Sequence, residues 1–152
     1  MHTEFNMSQP WIALQQVMMP RDANPHLTAA PGTENSPLFR TVFGGVILSM
    51  LDTAGAIAAG RAVRLGGGTP GLMFVTVAVN RVEFKQPVFV GDVVRCETTV
   101  TKWGRTSITV HIHVISDRRG EEVSVTDAEV VYVGVDQARQ PAPLMPTKPA
   151  GA

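Results

Sequence analysis

Residues 44–65 read GGVILSMLDTAGAIAAGRAVRL, a run without proline whose only carboxylate is Asp52. Ile47, Met50, Leu51, Ala54 and Ile57 recur at three- and four-residue steps, the period of a helix. A second stripe, Gly45, Ser49, Asp52, Ala56 and Ala59, is small. Arg61 and Arg64 fall in the last turn, where cations complement the helix dipole. Gly66 to Gly68 and then Pro70-Gly71 end the helix. A helix apolar nearly all round must be enclosed. Its weakly polar stretch, 46–60, is shorter than the ~20 apolar residues of a membrane span and carries a charge. The expectation is a buried core helix in a soluble protein, with no membrane partner.

The rest of the chain supplies the enclosure. Segments 73–84, 92–102, 105–116 and 122–135 are rich in Val, Ile and Thr, with turn signals at Pro87, Gly91, Gly104 and 117–120 between them. In the third, Ile108, Val110, Ile112 and Val114 alternate with Ser107, Thr109, His111 and His113, one buried and one wetter face. Residues 10–19 have modest strand character. A curved antiparallel sheet wrapped round one helix is an α+β fold. The 152 residues suit one domain. It is expected over 1–135, with a long proline-punctuated connection at 20–42 and a proline-rich, disordered tail at 136–152.

Lys+Arg and Asp+Glu both number 13, so no general attraction to nucleic acid is expected. The one cysteine, Cys96, cannot form an internal disulfide, which suits a reducing, cytoplasmic setting and a core thiol. The first residues lack the basic start of a secretory leader. His111 and His113 share a strand face, yet no acidic partner at telling spacing accompanies them. A packed or solvated face is expected there, and no metal. Neither a Gly-x-Ser-x-Gly elbow nor a phosphate-binding Gly-x-x-x-x-Gly-Lys-Ser/Thr loop is present.

Burying an unpaired carboxylate is costly. Asp52 is therefore either a catalytic group or a hydrogen-bonded one at a dimer seam. Gly44 and Gly45 either permit a tight turn or offer free N–H groups to an oxyanion at the positive end of the helix. Gly45 and Asp52 are seven residues apart, hence roughly 10 Å along one face.

Three stretches resemble the hotdog-fold acyl-CoA thioester hydrolases. They are Met19-Pro20-Arg21-Asp22-Ala23-Asn24, then Phe43-Gly44-Gly45 with Met50-Leu51-Asp52-Thr53-Ala54-Gly55, and then Val75-Thr76-Val77-Ala78-Val79 leading to Phe84-Lys85-Gln86-Pro87-Val88-Phe89-Val90-Gly91-Asp92 and Gly104-Arg105-Thr106-Ser107. The resemblance implies a hotdog fold and hydrolysis of an acyl-CoA. Asp52 would be the general base on water (or, as the lesser option, a nucleophile). Asn24 would orient water or polarise the carbonyl, and Gly44 and Gly45 would hold the oxyanion. Lys85, Arg105, Thr106 and Ser107, near turns, become candidates for contacts to coenzyme A. No cofactor is implied beyond the coenzyme A of the substrate. Asp52 and the glycine turn would act from opposite subunits of a homo-oligomer, a dimer or an assembly of dimers. The stretch 25–40 looks like an insertion bordering the site entrance, and Asn35 is an alternative occupant of the Asn24 position. The rival reading is a non-catalytic acyl-CoA-binding module, a sensor or scaffold.

Overall fold

The computed structural model describes residues 6–25, 28, 30–36 and 40–146. In chain order they form strand β1 (Trp11–Val17), a 3-10 turn (Pro20–Asp22), helix α1 (Gly44–Leu65), and strands β2 (Met73–Asn80), β3 (Val93–Trp103), β4 (Ser107–Arg118) and β5 (Glu121–Val135). The five strands make one antiparallel sheet in the order β1-β3-β4-β5-β2. Among the described residues this is one long helix on one sheet, as the hydrophobic pattern requires. Ile47, Leu51, Ala54 and Ala58 of α1 meet Val94 and Cys96 of β3, Ile108, Val110, Ile112 and Val114 of β4 and Val130 of β5 in one buried core. By length and composition α1 could cross a membrane, but half of its apolar window is buried inside the protein.

Two expectations change. The strand foreseen over 73–84 ends at Asn80, because Arg81 has φ +35°, outside the range a strand uses. The chain then leaves the β2 edge and crosses the end of the sheet through residues 81–92 to reach β3. The tail expected to be disordered from Asp136 is instead packed as far as it is described. Pro141 bridges to Val135, the Ala142 N–H donates to the Gly134 carbonyl, and Leu144 is buried. Prolines remove donors but not carbonyl acceptors. Thr69 uses this, its hydroxyl donating to the Pro143 carbonyl at 2.8 Å and its N–H to that of Leu144. Leu144 in turn lies over Gly134, where a methyl group would collide with it. Residues 147–152 of the expected tail lie outside the described residues.

Candidate active site

The start of α1 is held by a stitch of three short segments. Asp22 Oδ2 accepts the Met19 N–H at 2.8 Å, and the Asp22 carbonyl accepts the Phe43 N–H at 2.9 Å. The Asn24 N–H donates to the Thr41 carbonyl at 2.7 Å, and Ala23 bridges to Val42. On the other side, Val42 donates to the Val88 carbonyl and Val90 to that of Arg40. The ends of the excursion 25–40 are thus closed on one another. Asn24 lies beside the residues leading into Gly44, although far from it in sequence, while Asn35 is exposed on the excursion. Of the stretch 25–40 expected to border the entrance, positions 26, 27, 29 and 37–39 lie outside the described residues.

At the helix start, the Val46 N–H turns back onto the Phe43 carbonyl at 3.0 Å. The N–H groups of Gly44 and Gly45 precede the first regular helix bond, and no described group accepts them. No acid occupies the first turn, so the positive dipole end is uncompensated. Gly45 is needed for room, whereas a methyl at Gly44 would make only ordinary contact. The Phe84 ring sits 3.7 Å from where a Gly44 methyl would be, and the Phe43 ring occupies the place of a Gly45 methyl. A cavity of about 360 Å³ opens here, lined by Val42, Gly44, Ile47, Phe84, Pro87 and Val88 among others.

Two turns further on, Asp52 is half-buried rather than enclosed. The Thr76 hydroxyl, from β2, donates to its Oδ1 at 2.6 Å. Tyr132, from β5, donates to its backbone carbonyl at 2.7 Å and reaches Oδ1 at 3.3 Å. Burial, the Asp52 charge and this hydrogen bond all push the Tyr132 phenol upward, which keeps it a neutral donor. Gly55 makes the contact possible, since a side chain there would overlap the Tyr132 hydroxyl. Among the described residues, nothing donates to Asp52 Oδ2. The carboxylate is oriented through one oxygen and bare at the other.

The wall opposite Gly44 hangs from a second carboxylate. Asp92 is 3% exposed and accepts from Arg118 Nε (3.2 Å) and Nη2 (3.0 Å), Ser116 Oγ (2.9 Å) and the Phe89 N–H (3.0 Å). Arg118 also donates to the Pro87 carbonyl and stacks 4.4 Å over the Phe89 ring. Burial pushes the Asp92 carboxyl up, but the Arg118 hydrogen bonds and charge, with Phe89 and Ser116, outweigh it and leave it below the usual value.

A helix with free N–H groups at its start, a half-open aspartate two turns on and a sheet wrapped round both has counterparts among known proteins. The profile described as Thioesterase superfamily matches residues 39–123. The chain belongs to the thioesterase superfamily. It is 35% identical over 149 residues to the acyl-CoA thioester hydrolase YciA of Salmonella typhimurium, covering 95% of this chain and 97% of that one. The hexameric thioesterase y2039 from Yersinia pestis superposes with a TM-score of 0.72 at 32% identity, over 91% of this chain and 97% of that one. Cj0915, a hexameric hotdog-fold thioesterase of Campylobacter jejuni, gives 0.68 at 36%, over 91% and 92%. The hotdog fold expected from the motifs is the fold observed.

In this thioesterase-superfamily chain the expected coenzyme A contacts do not form one cluster. Lys85 lines the cavity beside Gly44, yet its ammonium pairs with Asp127 on the outer sheet face at 3.4 Å. Arg105 and Thr106 lie in the β3–β4 turn and Ser107 opens β4, the turn being tied to the tail through the Arg105 carbonyl and the Leu144 N–H. That turn sits by the loop after α1, at the opposite end of the helix. His111 and His113 face outward, bonded to Asp127 and Ser124. Cys96 is a core thiol, pushed up to about 12 by burial. The sequence pattern alone assigns no site role to Thr76 or Tyr132. The available signals were a lone threonine in a valine-rich strand and the chain's only tyrosine.

Proposed function

We propose that this chain hydrolyses acyl-CoA thioesters, with Asp52 as general base. The observation that carries the reading is the Asp52 carboxylate, fixed by Thr76 through Oδ1 and open at Oδ2. A water held at Oδ2 gives up a proton as its oxygen attacks the thioester carbon. The negative charge that develops on the carbonyl oxygen is met by the Gly44 and Gly45 N–H groups, with Asn24 alongside. The C–S bond then breaks. The coenzyme A thiolate takes the proton from Asp52, and a carboxylic acid leaves.

The ~10 Å between Gly45 and Asp52 on one helix is too long for both to act on one carbon. A second copy supplies the missing half. The free edge of β2 supports this: Met73, Val75, Val77 and Val79 are 45–58% exposed on a strand with one side unpaired. Such an edge invites pairing with a copy of itself. The Yersinia and Campylobacter relatives are described as hexameric, and the Salmonella relative as an acyl-CoA thioester hydrolase. No observation favours the non-catalytic module.

The test is release of free thiol from a panel of acyl-CoAs by the wild-type chain and by Asp52→Asn. The reading requires turnover by the first and its near-complete loss in a folded second. A wild-type chain that releases no thiol, or a variant that releases it at the wild-type rate, overturns it.

A further inference from the structure

Tyr132, on β5, is the largest fully buried side chain among the described residues. Packing calls only for its ring, since a buried hydroxyl needs a hydrogen-bond partner that a phenylalanine does not. The partner is the Asp52 carbonyl, at 2.7 Å. That carbonyl lies inside α1, where helix geometry already supplies the Ala56 N–H four residues on. The Ala56 N–H also bears on the phenol oxygen. The hydroxyl is thus wedged against the helix ladder, and it fits there only because position 55 is glycine. A glycine in mid-helix weakens the helix relative to alanine. The fold therefore carries two costs, a buried polar group and a mid-helix glycine, for a contact that the helix itself does not need.

What the contact does follows from its place in the sheet. Tyr132 and Thr76 stand directly opposite each other in the β2–β5 ladder, so a single rung reaches Asp52 twice. A hydroxyl has one proton to give, and for Tyr132 the carbonyl at 2.7 Å is nearer than Oδ1 at 3.3 Å. Thr76 takes Oδ1 at 2.6 Å. Tyr132 therefore fixes the root of the aspartate and Thr76 its tip, which together stop rotation about the bonds between. The register shifts immediately after this rung, between Thr76 and Ala78, and leaves Val77 without a partner on β5. Bulges of this kind re-aim side chains beside reactive groups. We propose that Tyr132 is a positioning residue: it anchors the main chain of Asp52 so that the carboxylate, tied by Thr76, presents Oδ2 to water. The proposal rests on the acyl-CoA reading above.

The test uses the full chain and Tyr132→Phe, which keeps the ring and removes the hydroxyl. With an acyl-CoA as substrate the variant should lower kcat about ten-fold and leave KM within about two-fold. Thr76→Val should do the same. The two together should cost about ten- to twenty-fold, because either loss already frees the carboxylate. Independent effects would multiply to about a hundred-fold; that result overturns the inference, as does an unchanged kcat in Tyr132→Phe. Amide exchange read by mass spectrometry across residues 50–60 is independent of turnover. Tyr132→Phe should speed exchange around residues 52–56 at least about three-fold, whereas Thr76→Val, which frees only the tip, should leave it unchanged. Equal exchange in the wild type and Tyr132→Phe, or an equal rise in both variants, overturns the anchoring. If the wild type releases no thiol while exchange still rises in Tyr132→Phe alone, the anchor stands and the thioesterase reading falls.

Discussion

Asp52 and Asp92 are both carboxylates facing the interior of the same domain, and they are furnished in opposite ways. Asp92 is 3% exposed, accepts four hydrogen bonds and has the Arg118 charge against it. Asp52 is half-buried, with Thr76 on one oxygen and nothing from the described residues on the other. A saturated carboxylate has no lone pair left for a substrate and serves as a joint. It ties residues 87–92 to β4 and so fixes the wall that faces Gly44. An oriented but unsaturated carboxylate has lost its rotational freedom while keeping a reactive edge. Burial alone would have ranked the two in the wrong order for chemistry. What separates them is how many of their hydrogen-bonding positions are already filled.

That contrast can be broken by removing each carboxylate in turn. Asp52→Asn should cost roughly 10²–10⁴-fold in kcat, the range for a lost general base, with the melting temperature nearly unchanged. Asp92→Ala should do the reverse. It strands Arg118, Ser116 and the Phe89 N–H, and should lower stability by about 2–4 kcal/mol in denaturant unfolding. This is below the ~3–5 kcal/mol of a fully buried pair, because Arg118 reaches solvent. Thr76→Val should lower kcat about ten-fold by freeing the carboxylate it orients, and Thr76→Ser should restore it. Gly55→Ala should destabilise by about 1–3 kcal/mol through its clash with Tyr132, read by the same unfolding curves.

The smallest effect is in pH. The Asp92 carboxyl lies below its ordinary value in the folded state. The stability it contributes is therefore complete above the unfolded carboxylate value of ~3.9, and is lost as pH falls through the depressed folded value. The gap in melting temperature between the wild type and Asp92→Asn should stay constant from neutral pH to about pH 5 and narrow below it. A gap that widens toward acid would give Asp92 the opposite sign.

The parts of this molecule legible from sequence are those written in local period. Helix α1 runs over the residues its pattern marks, because enclosure and period coincide there. The alternation of β4 likewise separates Ile108, Val110, Ile112 and Val114 from the outward histidines. What depends on chain closure was not legible. Asn24 comes to the helix start through a backbone bond to Thr41 that spans the whole excursion, and no local pattern encodes such a bond. Thr76 and Tyr132 reach Asp52 from 24 and 80 residues away. The tail reads as disordered because its prolines lack donors, yet its order comes from carbonyls and from Leu144 filling the space above Gly134. The coenzyme A candidates were chosen by turn chemistry, which cannot tell the two ends of α1 apart.

The central claim is that one site takes Asp52 from one subunit and the Gly44–Gly45 turn from another. It is tested most directly by mixing two inactive chains. Asp52→Asn lacks the base, and Gly45→Val blocks the turn by pushing a branched side chain into the Phe43 ring. Each alone should release almost no thiol from acyl-CoA. In a randomly mixed two-fold assembly, half of the pairs are hybrids, and each hybrid has one site with an intact aspartate facing an intact turn. Co-refolded in equal amounts, the two chains should recover about a quarter of the wild-type activity. A mixture that stays as inactive as its parents, with hybrid assemblies demonstrated by mass, would place both groups of each site in a single chain and contradict the account.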